Sequence, residues 1–320
     1  MTDRGHALTV AIPTYNGARH VGEALRSILG QTEVPFDLIV SDDQSTDDTL
    51  DRVRDAAGDR ARVEVNSERL GLAGNWNRCV ARSRTPLVAV FHQDDLMRDG
   101  HLAAHRAAFG PATGMVASAA GVVDDRGEPV PSAVVEPGGC GPDDRRFPPG
   151  TFLAELAAAN PLRCSAVTLR KAAHEAVGGF VPRLRYVVDW DFWIRVAASW
   201  EVAWLGHPTI SVRWHRASET HTFKTGTTDL EEAQALIDTL LAARPELASF
   251  RQAGQRRLAR AYLNRAYDAA RSQQKSLCRL SLRRSIRLDA GTILRVLGDP
   301  RLAARLALGS FGRPRSASQT

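Results

Sequence analysis

Residues 8–43, LTVAIPTYNGARHVGEALRSILGQTEVPFDLIVSDD, decide the fold. They open on an uninterrupted apolar run, Leu8 to Ile12, which reads as a buried strand. Val21, Leu25, Ile28 and Leu29 then share one face of a helix over residues 18–29. A second apolar run, LIV at 38–40, is a second strand. The pattern continues outward. Ser45 and Thr46, followed by Asp47 and Asp48, open another helix with Leu50 and Val53 inward. A third strand spans 62–66, a third helix 72–82, and a fourth strand PLVAVF at 86–91. Strand–helix alternation at this spacing predicts an α/β fold, a mostly parallel sheet with flanking helices.

The later chain is less regular. Residues 124–149 are rich in Pro and Gly and read as a long surface loop or small insertion. A helix is expected near 152–159, a strand near 165–169, a helix over about 191–199 and a short strand around 210–214. From 230 to 308 the pattern is almost wholly helical, with boundaries suggested by Pro245, Gly291 and Pro300.

Composition removes several classes. The 320 residues are 43% hydrophobic and 24% charged, ordinary for a globular chain. Only three of the 42 basic residues are lysines, and none follows a glycine, so no P-loop is present. The dinucleotide pattern G-x-G-x-x-G is missing, which argues against a dehydrogenase. Four cysteines at wide spacing make neither a zinc motif nor a disulfide scaffold. No apolar run is long enough for a signal peptide or a membrane span. The expected location is the cytoplasm, with the inner face of the cell membrane as a peripheral site.

Ligands in such sheets bind at the carboxyl ends of the strands. Pro13-Thr14-Tyr15-Asn16 follows the first strand, Asp42-Asp43 the second and His92-Gln93-Asp94-Asp95 the fourth. Adjacent carboxylates repel, and a hard divalent cation relieves that repulsion while bridging to a diphosphate. Equally, Asp94 and Asp95 could decorate a helix N-terminus. Tyr15 offers a stacking face and Asp43 an acceptor for a base N–H, together describing a uridine or thymidine pocket. Asp189, with Asp191 two residues on and walled by Trp190 and Trp193, suits a general base of raised pKa; a helix cap is the alternative. His215 is a candidate ligand for metal or diphosphate. Arg213, and Asn75 in the segment NSERLGLAGNWN, are candidate contacts to the diphosphate or donor.

These stretches, in this order, resemble the family-2 inverting glycosyltransferases of GT-A fold. The resemblance is dense over about 7–110 (VAIPTYNGARHVGEALRSILGQT, LIVSDDQSTDDT, NSERLGLAGNWNRC, VAVFHQDDLM) and thinner over 160–218 (VVDWDFWIRVA, VRWHRAS). It implies that Pro13, Tyr15 and Asp43 contact the base and ribose. Asp94 would face the ribose or donor sugar, and Asp95 would bind Mn²⁺ or Mg²⁺, with His215 at the metal or diphosphate. Asp189 would be the catalytic base, supported by Asp191. The family usually has Glu-Asp where this chain has Val188-Asp189. A GT-A catalytic domain would occupy 1–228, with a nucleotide-binding half about 7–110 and an acceptor half about 111–228. A basic helical region would follow at 229–320. The implied reaction moves a sugar from a UDP- or dTDP-sugar to a hydroxyl of a glycan, lipid-linked or small-molecule acceptor. A non-catalytic sugar-nucleotide-binding or scaffold protein on the same fold is the alternative.

The net charge of +6 conceals a division. Residues 251–320 hold 16 Lys/Arg against 3 Asp/Glu, a net +13, and residues 1–250 are net −7. The basic end lacks the interleaved aromatic residues of a nucleic-acid binder, so no nucleic acid is expected. Ile286, Leu288, Ile293, Leu294, Val296 and Leu297 make an apolar face there. It would serve either as a packing surface or as contact with an anionic membrane.

Overall fold

The structure, a computed structural model, describes residues 8–131, 139–215 and 223–311. The chain divides into two compact units, Met1–Leu156 with Asn160–Arg216, and Ala157–Ala159 with Ala217–Thr320.

The first unit is built on one nine-stranded sheet. Its opening strands are β1 (Leu8–Thr14), β2 (Asp37–Asp42), β3 (Arg62–Val65) and β4 (Leu87–Val90). All are mutually parallel, in the order β3-β2-β1-β4. The runs of β1, β2 and β4 are mainly apolar without alternation because helices cover both faces of the sheet, whereas the edge strand β3, RVEV, alternates and is only partly buried. The helices between them are α1 (Val21–Leu29), α2 (Thr49–Ala57) and α3 (Gly71–Arg82). Val21, Leu25 and Ile28 of α1 pack with Leu8, Val10, Ile12, Leu38 and Val40 in one core cluster. Each such side chain contributes about 1.5–3 kcal/mol by leaving water.

The sheet continues through β5 (Leu96–Met97), β6 (Thr113–Val123), β7 (Arg145–Phe147), β8 (Val167–Arg170) and β9 (Glu201–Arg213). Strand β8 runs antiparallel to both β4 and β6, whereas β9 runs parallel to β6. The far edge of β9 is shared by β7 and β5, both antiparallel to it. The helices of this half are α4 (His101–Ala108), α5 (Leu153–Ala158), α6 (Lys171–Ala176) and α7 (Val188–Ser199).

Several expectations are revised. The second helix begins at Thr49, because Asp42 and Asp47 take up Ser45 and Thr49 in the preceding turn. Strand β7 lies inside the stretch read as a loop, of which 132–138 fall outside the described residues. Strand β9 begins nine residues before the expected start at 210 and carries register shifts opposite β6. The eleven-residue β6 was not anticipated.

In the second unit, α8 (Thr228–Ala243), α9 (Arg251–Arg271), α10 (Lys275–Leu288), α11 (Gly291–Leu297) and α12 (Pro300–Phe311) form a bundle. Helix α8 ends before Pro245, Gly291 opens α11, and Pro300 opens α12, where its missing N–H costs no helical bond. Its core joins Leu263, Ala266, Cys278 and Leu306. A buried bidentate pair, Arg265 to Asp229 at 2.6 and 3.1 Å, ties α9 to α8. Among the described residues no helix is long and apolar enough to cross a membrane.

Candidate functional site

Strands β1, β2, β4, β6 and β9 all run in one direction, so their carboxyl ends share one edge. Strand β8 runs the other way and therefore brings its amino end, with Ser165, to that same edge. Tyr15, Asp43, Asp94, Asp95, Ser165 and His215 thus stand at one edge although up to 200 residues separate them in sequence.

Asp43 is buried, and its carboxylate is well supplied with donors. Oδ1 accepts from Asn66 Nδ2 at 2.9 Å and from the Leu70 N–H at 2.8 Å, and Oδ2 accepts from the Gly71 N–H at 2.8 Å. Gly71 has φ +71°, which aims its N–H at the carboxylate with little strain for glycine. Asn75 does not face the edge. It is buried under β2, where Nδ2 donates to Ser41 O at 2.9 Å and Oδ1 receives Asn66 Nδ2 at 3.1 Å. Its position makes it a support for Asn66, and through Asn66 for Asp43.

Tyr15 is gripped through its backbone. Gln93 Oε1 accepts from the Tyr15 N–H at 3.0 Å, and Gln93 Nε2 donates to Tyr15 O at 3.1 Å. A Cβ on Gly17 would lie 2.1 Å from Gln93 Oε1, so the glycine makes room for this clamp. The Arg69 guanidinium covers the Tyr15 ring, 3.7 Å from its centroid. Pro13 lies within β1 opposite Ser41, half-buried.

Asp94 and Asp95 have divergent surroundings. Asp95 is 3% exposed; Oδ2 accepts from Ser165 Oγ at 2.5 Å and Oδ1 from the Arg213 N–H at 2.9 Å. Burial first, and then the charge of Asp94, push its carboxyl up to about 6. Asp94 is more open, and its Oδ2 lies 2.9 Å from His215 Nε2. Burial would raise its carboxyl, but the His215 hydrogen bond and the charges of His92 and His215 outweigh that and hold it low. One ligand atom from each of His92, Asp94 and Asp95 lies within 4.8 Å of the others. His92 stacks on Trp76 and leaves Nε2 buried without a partner.

Arg213 does not offer its side chain to a ligand. It is wholly buried, with Nε donating to Asp94 O at 2.9 Å, one terminal nitrogen to Asp124 O and Asp125 O, and the other to Glu23 Oε2 at 2.6 Å. It pins the acidic turn instead. His215, expected beside Asp95, shares a second close group with His20 and Asp125.

Asp189 lies in the first turn of α7. Its Oδ2 accepts from Asn160 Nδ2 at 3.0 Å and its Oδ1 from the Trp190 N–H at 2.7 Å. Burial is the leading cause of its raised carboxyl pKa, and the charge of nearby His92 opposes the rise. The charges of Asp189 and Asp95 both add to the burial that raises the Cys164 thiol, so the two carboxylates face one neighbourhood. Asp191 is engaged elsewhere, receiving Arg195 Nε at 3.0 Å and a terminal nitrogen at 2.7 Å. Val188, where the resemblance leads one to expect an acid, is fully buried in the core.

The sequence reading missed roles for His92, Gln93, Ser165, Asn160, His20 and Asp125. His92 and Gln93 were within reach, because they lie at a strand end. The other four gain their roles only through contacts between distant segments.

Comparison with known proteins now bears on this edge. The family model described as Glycosyl transferase family 2 matches residues 9–131. Uncharacterized protein MT1568 of Mycobacterium tuberculosis is 31% identical over 217 residues, which cover 66% of this chain and 68% of that protein. Putative glycosyltransferase EpsE of Bacillus subtilis is 28% identical over 206 residues, 60% of this chain and 66% of that one. In three dimensions the chain is similar to S. aureus TarS 1–349 in complex with UDP-GlcNAc, with TM-score 0.59, 18% identity, and coverage of 94% and 88%. It is also similar to the mannosyltransferase PcManGT of Pyrobaculum calidifontis in complex with GDP-Man and Mn²⁺, with TM-score 0.53, 18% identity, and coverage of 95% and 79%. The solved structures establish the fold as GT-A-like. With the family match lying on the strands that bring Asp43, Asp94 and Asp95 to one edge, and the mycobacterial relative matched over two thirds of its own length, the chain belongs to glycosyl transferase family 2 and is a transferase.

Proposed function

We propose that this chain transfers a sugar from a UDP- or dTDP-sugar to a hydroxyl acceptor, with inversion, and that Asp189 is the base. The observation that carries this is the convergence of Asp43, Asp94 and Asp95 on one sheet edge, where Asp95 is held by Ser165 Oγ at 2.5 Å and the Arg213 N–H at 2.9 Å. Asp189, in the first turn of α7, supplies a carboxylate for the acceptor, and Asp94 with Asp95 a pair for the diphosphate. Asp189 accepts the proton of the attacking hydroxyl, and Asn160 holds its carboxylate in place. The oxygen then attacks the anomeric carbon from the side opposite the diphosphate. One carboxylate suffices, because a nucleoside diphosphate leaves without needing a general acid of the glycosidase kind.

The residues present fit a divalent cation. His92, Asp94 and Asp95 converge, with His92 Nδ1 3.8 Å from Asp95 Oδ2, so one nitrogen and two carboxylates make the donor set. Bound there, Mn²⁺ or Mg²⁺ supplies charge neutralisation for the diphosphate. Tyr15 and Asp43, with Pro13 behind them, receive the base. The GT-A unit carries the chemistry, within bounds of about 1–228. The basic helical region of 229–320 meets an anionic membrane surface at the inner face of the cell membrane, beside a lipid-linked or glycan acceptor. Ile293, Leu294, Leu297 and Leu308 are exposed there among arginines, which supports that reading.

The deciding experiment is a panel of nucleotide sugars screened by thermal shift with Mn²⁺ or Mg²⁺, followed by turnover of the stabilising donor. The reading expects a UDP- or dTDP-sugar to raise the melting temperature. If no nucleoside diphosphate shifts the melt, the proposal falls. Binding without turnover under any acceptor favours a scaffold protein.

A further inference from the structure

His20, Asp125 and His215 come from three distant segments. His20 immediately precedes α1, Asp125 follows β6, and His215 follows β9. The side chains of His20 and His215 are 8% and 9% exposed. Among the described residues, each of the three has one buried side-chain atom without a hydrogen-bond partner: His20 Nε2, Asp125 Oδ1 and His215 Nδ1. One ligand atom from each residue lies within 4.8 Å of the others. The two imidazole rings stand 5.0 Å apart, and His20 Nε2 is 3.2 Å from Asp125 Oδ1 without completing a hydrogen bond. A buried polar atom left without a partner costs on the order of 1–3 kcal/mol, and a ligand shared by the three residues would remove that cost.

The surroundings prepare these atoms as ligands. His215 Nε2 lies 2.9 Å from Asp94 Oδ2. The Asp94 carboxylate thus engages Nε2 and leaves Nδ1 as the other ring nitrogen. This is how a carboxylate commonly orients a metal-binding histidine. Asp125 Oδ2 is paired with Arg19, which leaves Oδ1 for the cluster.

We propose that His20, Asp125 and His215 form a second divalent-cation site, distinct from the Asp94–Asp95 pair and selective for a borderline transition ion such as Zn²⁺ or Co²⁺. Two nitrogens and one oxygen suit such an ion, whereas Mg²⁺ prefers oxygen ligands and retains its waters. The bound ion ties the start of α1, the loop after β6 and the end of β9 together. Through His215 it also fixes Asp94. The site does not depend on the transferase reading, because it needs neither donor nor acceptor.

The test uses the purified full chain in excess Mg²⁺, so that the carboxylate-rich positions, the Asp94–Asp95 pair among them, are competed for by a hard cation. Co²⁺ is titrated, with bound metal counted after gel filtration and visible d–d absorption recorded. Wild type is expected to retain Co²⁺ with nitrogen-ligand absorption. His20→Asn and Asp125→Asn are each expected to lose one Co²⁺ per chain and that band. Asp125 is the more exposed of the two, so its variant remains informative if His20→Asn fails to fold. Full competition by Mg²⁺ in wild type, or unchanged Co²⁺ uptake in folded Asp125→Asn, overturns the proposal.

Discussion

The Arg213 N–H donates to Asp95 Oδ1 at 2.9 Å, so the last residue of β9 holds a carboxylate that follows β4. The Arg213 side chain reinforces this by reaching Asp94 O and Glu23 Oε2. Arg213→Ala takes the donors away from Asp94 O and from the half-exposed Glu23 carboxylate and leaves a cavity where the buried guanidinium lay, an expected loss of about 3 kcal/mol. Arg213→Lys keeps the charge without the planar fork and should fall between the two. Urea unfolding measures both. Midpoints equal to wild type would show that the buried bonds contribute nothing net.

Asp189→Asn is expected to lower turnover by about 10²–10⁴-fold while nucleoside diphosphate affinity stays near wild type. The pH profile adds a second reading. Burial raises the Asp189 carboxyl, and the base works only when charged. Activity therefore falls as pH drops through that raised value, above the ordinary ~3.9 of an aspartate. An acid limb of kcat/KM at or below the ordinary value would remove Asp189 as the titrating base.

Gly17→Ala tests the Gln93 clamp. The added Cβ lies 2.1 Å from Gln93 Oε1, and the amide can move only by giving up its two bonds to the Tyr15 backbone. The expected cost is about 2 kcal/mol of stability, with weaker nucleotide affinity because Tyr15 is released. Calorimetric titration with UDP, alongside thermal melts, separates the two effects. Unchanged values in both would mean that the clamp is dispensable.

Three buried imidazoles predict acid lability. Burial pushes His101 down to about 3 and His174 down to about 4, and lowers His105 well below its ordinary value. The unfolded chain takes up these protons near 6.5, before the folded chain does. Stability from each is thus present above ~6.5 and lost as pH falls toward the folded values, at up to about 1.4 kcal/mol per pH unit each. Asp95 works oppositely, since its raised carboxyl favours the fold when protonated and that contribution is lost as pH rises through about 6. His174→Gln should flatten the loss between pH 6.5 and 5 in urea titrations. An unaltered slope would exclude His174 as a contributor.

Leu294 and Leu297 are 75% and 70% exposed within a strongly basic segment. Replacing both with Glu should abolish flotation with anionic vesicles and leave the melting temperature nearly unchanged. Equal flotation of variant and wild type would remove the membrane reading.

Strands β1, β2 and β4 were legible because parallel strands covered on both faces are plain apolar runs, and the edge strand β3 because its RVEV alternates. Strand β6 was hidden for the opposite reason. Its sequence, TGMVASAAGVV, is dominated by small residues. At Gly114 the cause is external, since a Cβ there would stand 2.4 Å from the Trp200 Cβ. Packing from a distant residue thus erased the local strand signal. The site divides in the same way. Asp43, Asp94, Asp95 and Asp189 were readable as acids at element ends. Asn160, Ser165, His20 and Asp125 depend on partners that no local pattern reveals, and Arg213 is an arginine whose burial only the fold discloses.

The link between Asp95 and Arg213 also sets an order of assembly during synthesis. The two residues are 118 positions apart in the chain. At bacterial and eukaryotic elongation speeds that interval lasts roughly 6–24 s. Throughout it two neighbouring acids have been made, and the N–H that Asp95 accepts and the guanidinium that pins their turn have not. Strand β9 then arrives, pairing with β6 along one edge and with β5 and β7 along the other. The acidic edge is therefore completed by the last strand to leave the ribosome. A chain released before Arg213 carries the family's sequence signature without the means to hold its carboxylates in place.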